Sequence, residues 1–183
     1  MIHILAFLIP IALGGASAQT PPREVRTMVK IALSSPAFKA GETIPQKHTC
    51  DGPDLSPELA WTAVPAGSKS VALLCEDPDA PGGLWAHWVI WGIPADSTAL
   101  PGGIAKEKQL PSRIAQGMND FRKVGYGGPC PPRGKPHRYF FRIYALDTHL
   151  TLAPGALRKD LLKAIEGHVI GEGELMGTYA RKD

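Results

Sequence analysis

The chain has little cysteine, little excess charge and no apolar run of membrane-spanning length. Only three of its 183 residues are cysteine, aromatic residues make up 7%, and the formal net charge is +3 with Lys and Arg scattered among the acids. Without a basic stripe interleaved with aromatics, nucleic acid is not an expected partner. A spanning helix needs about 20 consecutive apolar residues, and the one long apolar run, Ile2 to Leu13, falls short of that. The catalytic signatures G-x-S-x-G and H-E-x-x-H are missing, as are a P-loop and a dinucleotide-binding glycine pattern. No two candidate metal ligands have the close spacing of C-x₂-C or H-x₃-H. Neither an enzyme nor a resident cofactor is expected.

What is present begins with that apolar run. It is followed by Gly14-Gly15 and Ala16-Ser17-Ala18, the pattern of a secretory leader cleaved after Ala18, although the region before it carries only the amino terminus and His3 as positive groups. The expected organisation is a signal peptide over residues 1–18, a polar linker over 19–28 and one domain over 29–183, located in the periplasm or secreted. In an oxidising compartment three cysteines permit one disulfide. Cys75 lies in the apolar run Val71–Cys75 and reads as a buried thiol, whereas Cys50 and Cys130 lie in Gly/Pro turns and form the expected pair.

Twenty glycines and eighteen prolines punctuate short strand-like runs at Met28–Leu33, Leu59–Trp61, Ser70–Glu76, Ala86–Ile93 and Tyr139–Leu146. Only Ala156–Glu166 has convincing helical periodicity, with Gly167 as its stop. These elements predict a mainly antiparallel β domain of two packed sheets with one clear helix.

Two clusters could carry chemistry. Gly125-Tyr126-Gly127-Gly128-Pro129-Cys130-Pro131-Pro132 leads to Pro136-His137-Arg138-Tyr139. Free backbone N–H groups in such a loop, together with an imidazolium and a phenol, are donors suited to an oxyanion. Asp77-Pro78-Asp79-Ala80-Pro81 leaves one strand, and Trp85-Ala86-His87 enters the next. Asp79 reads equally well as a turn cap. Trp85 shares a strand face with His87 and is expected to wall the cavity, whereas Arg138, alternating with His137 and Tyr139, is expected to pair with an acid behind it. His48 and His149 read as surface loop residues, and His168 as a cap for the helix C-terminus.

Together, Asp77–Pro81, His87, Gly128–Pro132 and His137–Tyr139 resemble the two signature regions of the phosphatidylethanolamine-binding protein (PEBP) family. Thr49–Gly52, Leu55–Pro57, Gln116–Phe121 and Gly167–Val169 resemble its bacterial YbhB/YbcL, or Raf-kinase-inhibitor-like, branch. The resemblance implies an antiparallel Greek-key β-sandwich with one or two short helices and a single small cavity for phosphate-like anions. It implies Asp77, His87, His137 and Tyr139 as cavity residues, with Cys130-Pro131 in its wall. Cys130 takes the place of a glycine in eukaryotic members, and the four residues after Tyr179 hold no counterpart of the mammalian C-terminal helix.

The expected function is non-catalytic binding of phosphate or of phospholipid head groups such as phosphoethanolamine. An ionised carboxylate beside a phosphate is repulsive, so Asp77 is expected either to hold a histidine N–H or to accept from a ligand amine. Two alternatives follow from the same residues. One is an interaction module that inhibits a protease or kinase outside the cytoplasm. The other is a hydrolase or zinc site built from Asp77, His87, His137 and Cys130.

Overall fold

A computed structural model describes residues 28–181. The expected leader, 1–18, and the linker up to residue 27 lie outside the described residues. The strands are β1 (Val29–Lys30), β2 (Leu33–Ser34), β3 (Leu59–Trp61), β4 (Ser70–Asp77), β5 (Trp85–Pro94), β6 (Ala99–Leu100), β7 (Ala115–Gln116), β8 (His137–Leu146) and β9 (Val169–Tyr179), with the helix α1 (Arg158–Ile165) between the last two. They form a six-stranded sheet ordered β1-β9-β8-β4-β5-β7 and a three-stranded sheet ordered β2-β3-β6. Every pairing is antiparallel except β1 with β9, so the large sheet is mixed.

The large sheet is covered on both faces. Val71, Leu73, Cys75, Trp88, Ile90, Phe141 and Ile143 face one cluster, which the small sheet completes with Leu33, Leu59, Trp61 and Leu100. Ala72, Leu74, Val89 and Trp91 face a second cluster, closed by Leu161 and Ile165 of α1. Two-sided cover explains why β4 is buried along its whole length and reads as an apolar run over Val71–Cys75. It also separates Trp88 from Trp91, three residues apart on opposite faces.

The run Met28–Leu33, expected as one strand, is divided between the sheets. Val29 and Lys30 pair with β9, and Leu33 and Ser34 pair with β3. The chain crosses between layers at Ile31, which is buried. The eleven-residue β9 was not anticipated, because Gly171, Gly173 and Gly177 dilute its pattern. Packing requires at least one of them: a Cβ on Gly173 would lie 2.1 Å from the Ile31 carbonyl oxygen. The helix is shorter than expected, and its entry is held by Asp160, whose carboxylate accepts from Leu157 N–H at 3.0 Å. Gly167, at φ +77°, ends it as expected.

Candidate ligand-binding cleft

The ends of β4, β5 and β8 meet at one edge of the molecule. Asp77 ends β4, Trp85 and His87 open β5, and His137 opens β8. With the loop from Gly125 to Pro132 they enclose a cleft of about 360 Å³ lined by Asp77, Ala80, Pro81, Gly82, Trp85, His87, Phe121, Cys130, Pro131, Pro132 and His137. Of the expected cavity residues, the structure brings Asp77, His87, Cys130, Pro131 and His137 into this lining.

Asp77 is 3% exposed, and both its carboxylate oxygens are used. Oδ1 accepts from Asp79 N–H at 2.7 Å, shaping the turn out of β4, and Oδ2 accepts from His137 Nδ1 at 2.8 Å. The His137 bond fixes that ring's orientation and leaves Nε2 as its other polar atom. Asp77 thus holds the N–H of a histidine.

His87, 2% exposed, donates from Nδ1 to the Gly127 carbonyl at 2.6 Å, while Gly127 N–H returns a 2.9 Å bond to the His87 carbonyl. Burial pushes its pKa below the usual imidazole value, an effect that the Gly127 bond and the Asp77 charge only partly oppose. The neutral ring, with Nδ1 protonated, therefore offers Nε2 as an acceptor.

Tyr139 occupies a different place from the one expected. It is wholly buried and absent from the cleft lining, and its ring meets His87 edge-on at 5.1 Å. Its O–H is buried, and burial, reinforced by Asp77, pushes the phenol's pKa far up. The strand's alternation puts residues 137 and 139 on one face, but depth separates them: His137 is at the open end and Tyr139 one step into the core.

The glycine-rich loop also differs from expectation. The N–H groups of its glycines are not free for an anion: Gly125 donates to Gly117 O, Gly127 to His87 O and Gly128 to Asp54 Oδ1. The loop is fastened further by Tyr126 O–H donating to His48 O and by Cys50 N–H donating to Pro129 O. A Cβ on Gly128 would lie 2.3 Å from the His48 carbonyl oxygen, so glycine there serves loop packing. His48 is thus no surface residue. It is 4% exposed, with Nδ1 2.8 Å from Leu55 O, and burial lowers its pKa.

Behind the cleft, Arg138 grips Asp79 with Nε–Oδ2 and Nη2–Oδ1 contacts of 2.9 and 2.7 Å, and its N–H donates to the same carboxylate. Those bonds hold the Asp79 carboxyl down to about 2. His168 binds Asp147 through Nδ1 at 2.9 Å, so its side chain does not cap α1.

Cys50 and Cys130 form a disulfide, with Cα atoms 5.3 Å apart, and Cys75 is a buried free thiol. The sulfur of Cys130 is thereby withdrawn from the zinc set considered from sequence. Among the described residues no group of three or more His, Cys, Asp or Glu is placed to hold a metal ion.

Phe121 was missed as a wall residue. It packs edge-on to both Trp85 and His87, each at 5.3 Å. Its neighbour Asp120 accepts from Ala86 N–H at 2.6 Å, tying that turn to β5. Position in the Gln116–Phe121 segment was the available signal. Trp85 lines the cleft, and among the described residues its buried indole N–H has no partner.

The sequence profile of the family described as "Phosphatidylethanolamine-binding protein" matches residues 34–180. The chain belongs to the PEBP family. Among PEBP relatives, a UPF0098 protein of Methanothermobacter thermautotrophicus is 53% identical over 81% of this chain and 98% of its own length. A UPF0098 protein of Aquifex aeolicus is 48% identical over 80% of this chain and 86% of its own. The PEBP homolog CT736 of Chlamydia trachomatis has a similar structure, with a TM-score of 0.76 and 39% identity over 84% of this chain and 99% of that one. E. coli YbcL, described as a member of the mammalian PEBP family, gives 0.77 and 36% over 83% and 99%. These PEBP structures share the mainly β architecture seen here.

Proposed function

We propose that the cleft binds, without chemical conversion, a small molecule through a phosphate-like anion or a phospholipid head group such as phosphoethanolamine. The observation that carries this reading is the Asp77–His137 pair at the cleft, with a second imidazole, His87, in the same lining. With its oxygens engaged by His137 Nδ1 and by Asp79 N–H, the Asp77 carboxylate is occupied within the protein and fixes the His137 ring at the cleft. Neutral His87 supplies an acceptor, which suits a ligand carrying both anionic oxygen and a proton, as a singly protonated phosphate or an ammonium-bearing head group does. The unpartnered Trp85 N–H adds a donor at the wall. Pro81, Trp85, Phe121, Pro131 and Pro132 favour an apolar portion beside the head group.

The lining holds no Ser or Thr, and its only cysteine is in the disulfide, which argues for binding over nucleophilic catalysis. The leader-like sequence and the disulfide support residence in the periplasm or secretion, where a protein partner would also be met. Charge-assisted hydrogen bonds of about 1.5–3 kcal/mol each, less association costs, correspond to affinity on the order of micromolar to millimolar.

Calorimetric titration with phosphate, phosphoethanolamine and ethanolamine tests the reading. Saturable binding of the first two that His137→Ala abolishes is expected. Heats equal to buffer for all three would refute it.

A further inference from the structure

A second cleft lies at the other end of the same strands. It encloses about 710 Å³, and it borders Lys69, just before β4, and Gly92–Ala95, at the end of β5. The length of β4 separates it from Asp77 by about 25 Å at the usual strand rise. Its apolar lining includes Trp91, Pro94, Leu150 and Leu152; its charged and titratable lining is Lys69, Arg113 and His149, with no carboxylate. All three basic residues are exposed, and among the described residues none of their side chains makes a hydrogen bond or ion pair. Lys69 and Arg113, two cations that converge on one concavity without a partner, leave their charge available to a ligand.

The backbone that presents Arg113 is held in an unusual shape. Ser112 and Arg113 are consecutive non-glycine residues at φ 60° and 65°, a region such residues seldom occupy. Leu110 N–H donates to Ile114 O at 2.8 Å, and Gln109 Nε2 donates to the same oxygen at 3.0 Å, so the turn is pinned. Gly92, at φ +73°, accommodates it: a Cβ there would lie 2.7 Å from the Arg113 carbonyl oxygen. A turn strained and braced in this way, at the rim of a cleft, is a pattern that recurs at ligand clamps.

We propose that this cleft is a second binding site, for a soluble organic anion with a flat apolar body, of the aryl phosphate or aryl carboxylate class. The basic rim takes the anionic group, and the Trp91–Leu152 side takes the apolar body. The volume falls within the roughly 300–1,000 Å³ common for small-molecule sites. The site is independent of the head-group cleft and does not rest on the reading given for it.

The test is an amide chemical-shift titration of the ¹⁵N-labelled protein with 1-naphthyl phosphate, which reads both clefts at once. Saturable shifts at 91–95, 111–115 and 149–152 are expected. A Lys69→Glu/Arg113→Glu variant, altered at exposed positions that spare the core, should bind there at least about tenfold more weakly, as the loss of charge-assisted contacts implies. His137→Ala should leave these shifts unchanged. Shifts confined to residues 77–87 and 130–137, equal affinity in the double variant, or equal binding of uncharged 1-naphthol would each overturn the proposal. So would shifts of this patch by tetraglutamate but not by naphthyl phosphate, which would assign it to an acidic protein segment.

Discussion

Asp77 and His137 are 60 residues apart in the chain, yet the Asp77 carboxylate accepts a 2.8 Å hydrogen bond from the His137 ring at the mouth of the cleft. Antiparallel packing of β8 on β4 brings them together, since the start of one strand meets the end of the other. Asp77→Asn keeps the shape but removes the carboxylate that orients the His137 ring. Phosphoethanolamine binding should weaken by about tenfold, the equivalent of roughly 1.4 kcal/mol, with the fold retained. Calorimetry beside circular dichroism separates the two readouts.

Stability should fall as the protein is acidified below neutrality. His87 and His48 both have pKa values lowered by burial. Between those folded values and the unfolded value of about 6.5, the unfolded chain binds more protons, so their contribution is present above that pH and is lost as pH falls. Urea midpoints at pH 7.5, 6 and 5 should decline in that order. In His48→Gln the decline should be shallower, and an unchanged slope would count against the burial argument.

Two carboxylates with arginine partners should behave differently. Asp79 pairs with Arg138, whose side chain is 53% exposed, and loss of such a solvated pair should leave stability nearly unchanged. Glu76 is 2% exposed and bridges Arg142 and Arg158 on the helix side of the sheet. Glu76→Ala removes a buried charge from between two cations and should cost on the order of 3 kcal/mol. Chemical unfolding of the Asp79→Ala and Glu76→Ala proteins compares them directly.

The disulfide should matter more for stability than for the shape of the cleft. Cys50 and Cys130 close a loop across a sequence separation of 80, so Cys50→Ser/Cys130→Ser should lose about 4 kcal/mol through the unfolded chain's regained freedom. The bonds Cys50 N–H to Pro129 O and Gly128 N–H to Asp54 still join the two loops. Binding of phosphoethanolamine should therefore persist, within about threefold by the same conversion, at temperatures where the variant stays folded.

Sequence pattern reveals elements whose surroundings are uniform and conceals those whose surroundings are particular. β4 and β5 were legible because both faces are apolar, and α1 because one face is. β9 was concealed because glycines 171, 173 and 177 answer to the groups packed against them, the Pro65 ring, the Ile31 carbonyl and the Ile44 and Phe38 side chains, not to strand propensity. Asp77, His87 and His137 could be singled out because acids and imidazoles at strand ends are chemically conspicuous. Phe121 was marked only by its place in the Gln116–Phe121 segment, because its ring partners Trp85 and His87 lie far earlier in the chain. Periodicity also assigned Tyr139 its correct face, but a strand's alternation carries no information about depth. The loop's glycines suggested free N–H groups, whereas they donate to Asp54, His87 and Gly117, partners that lie outside the loop's own sequence.

The most direct test of the central claim is a ¹⁵N–¹H chemical-shift titration with phosphoethanolamine. The account expects saturable shifts confined to the turn 77–87, Phe121 and residues 130–137, and their loss in His137→Ala. Saturable shifts elsewhere with these residues silent, or no shifts at millimolar ligand, would contradict it.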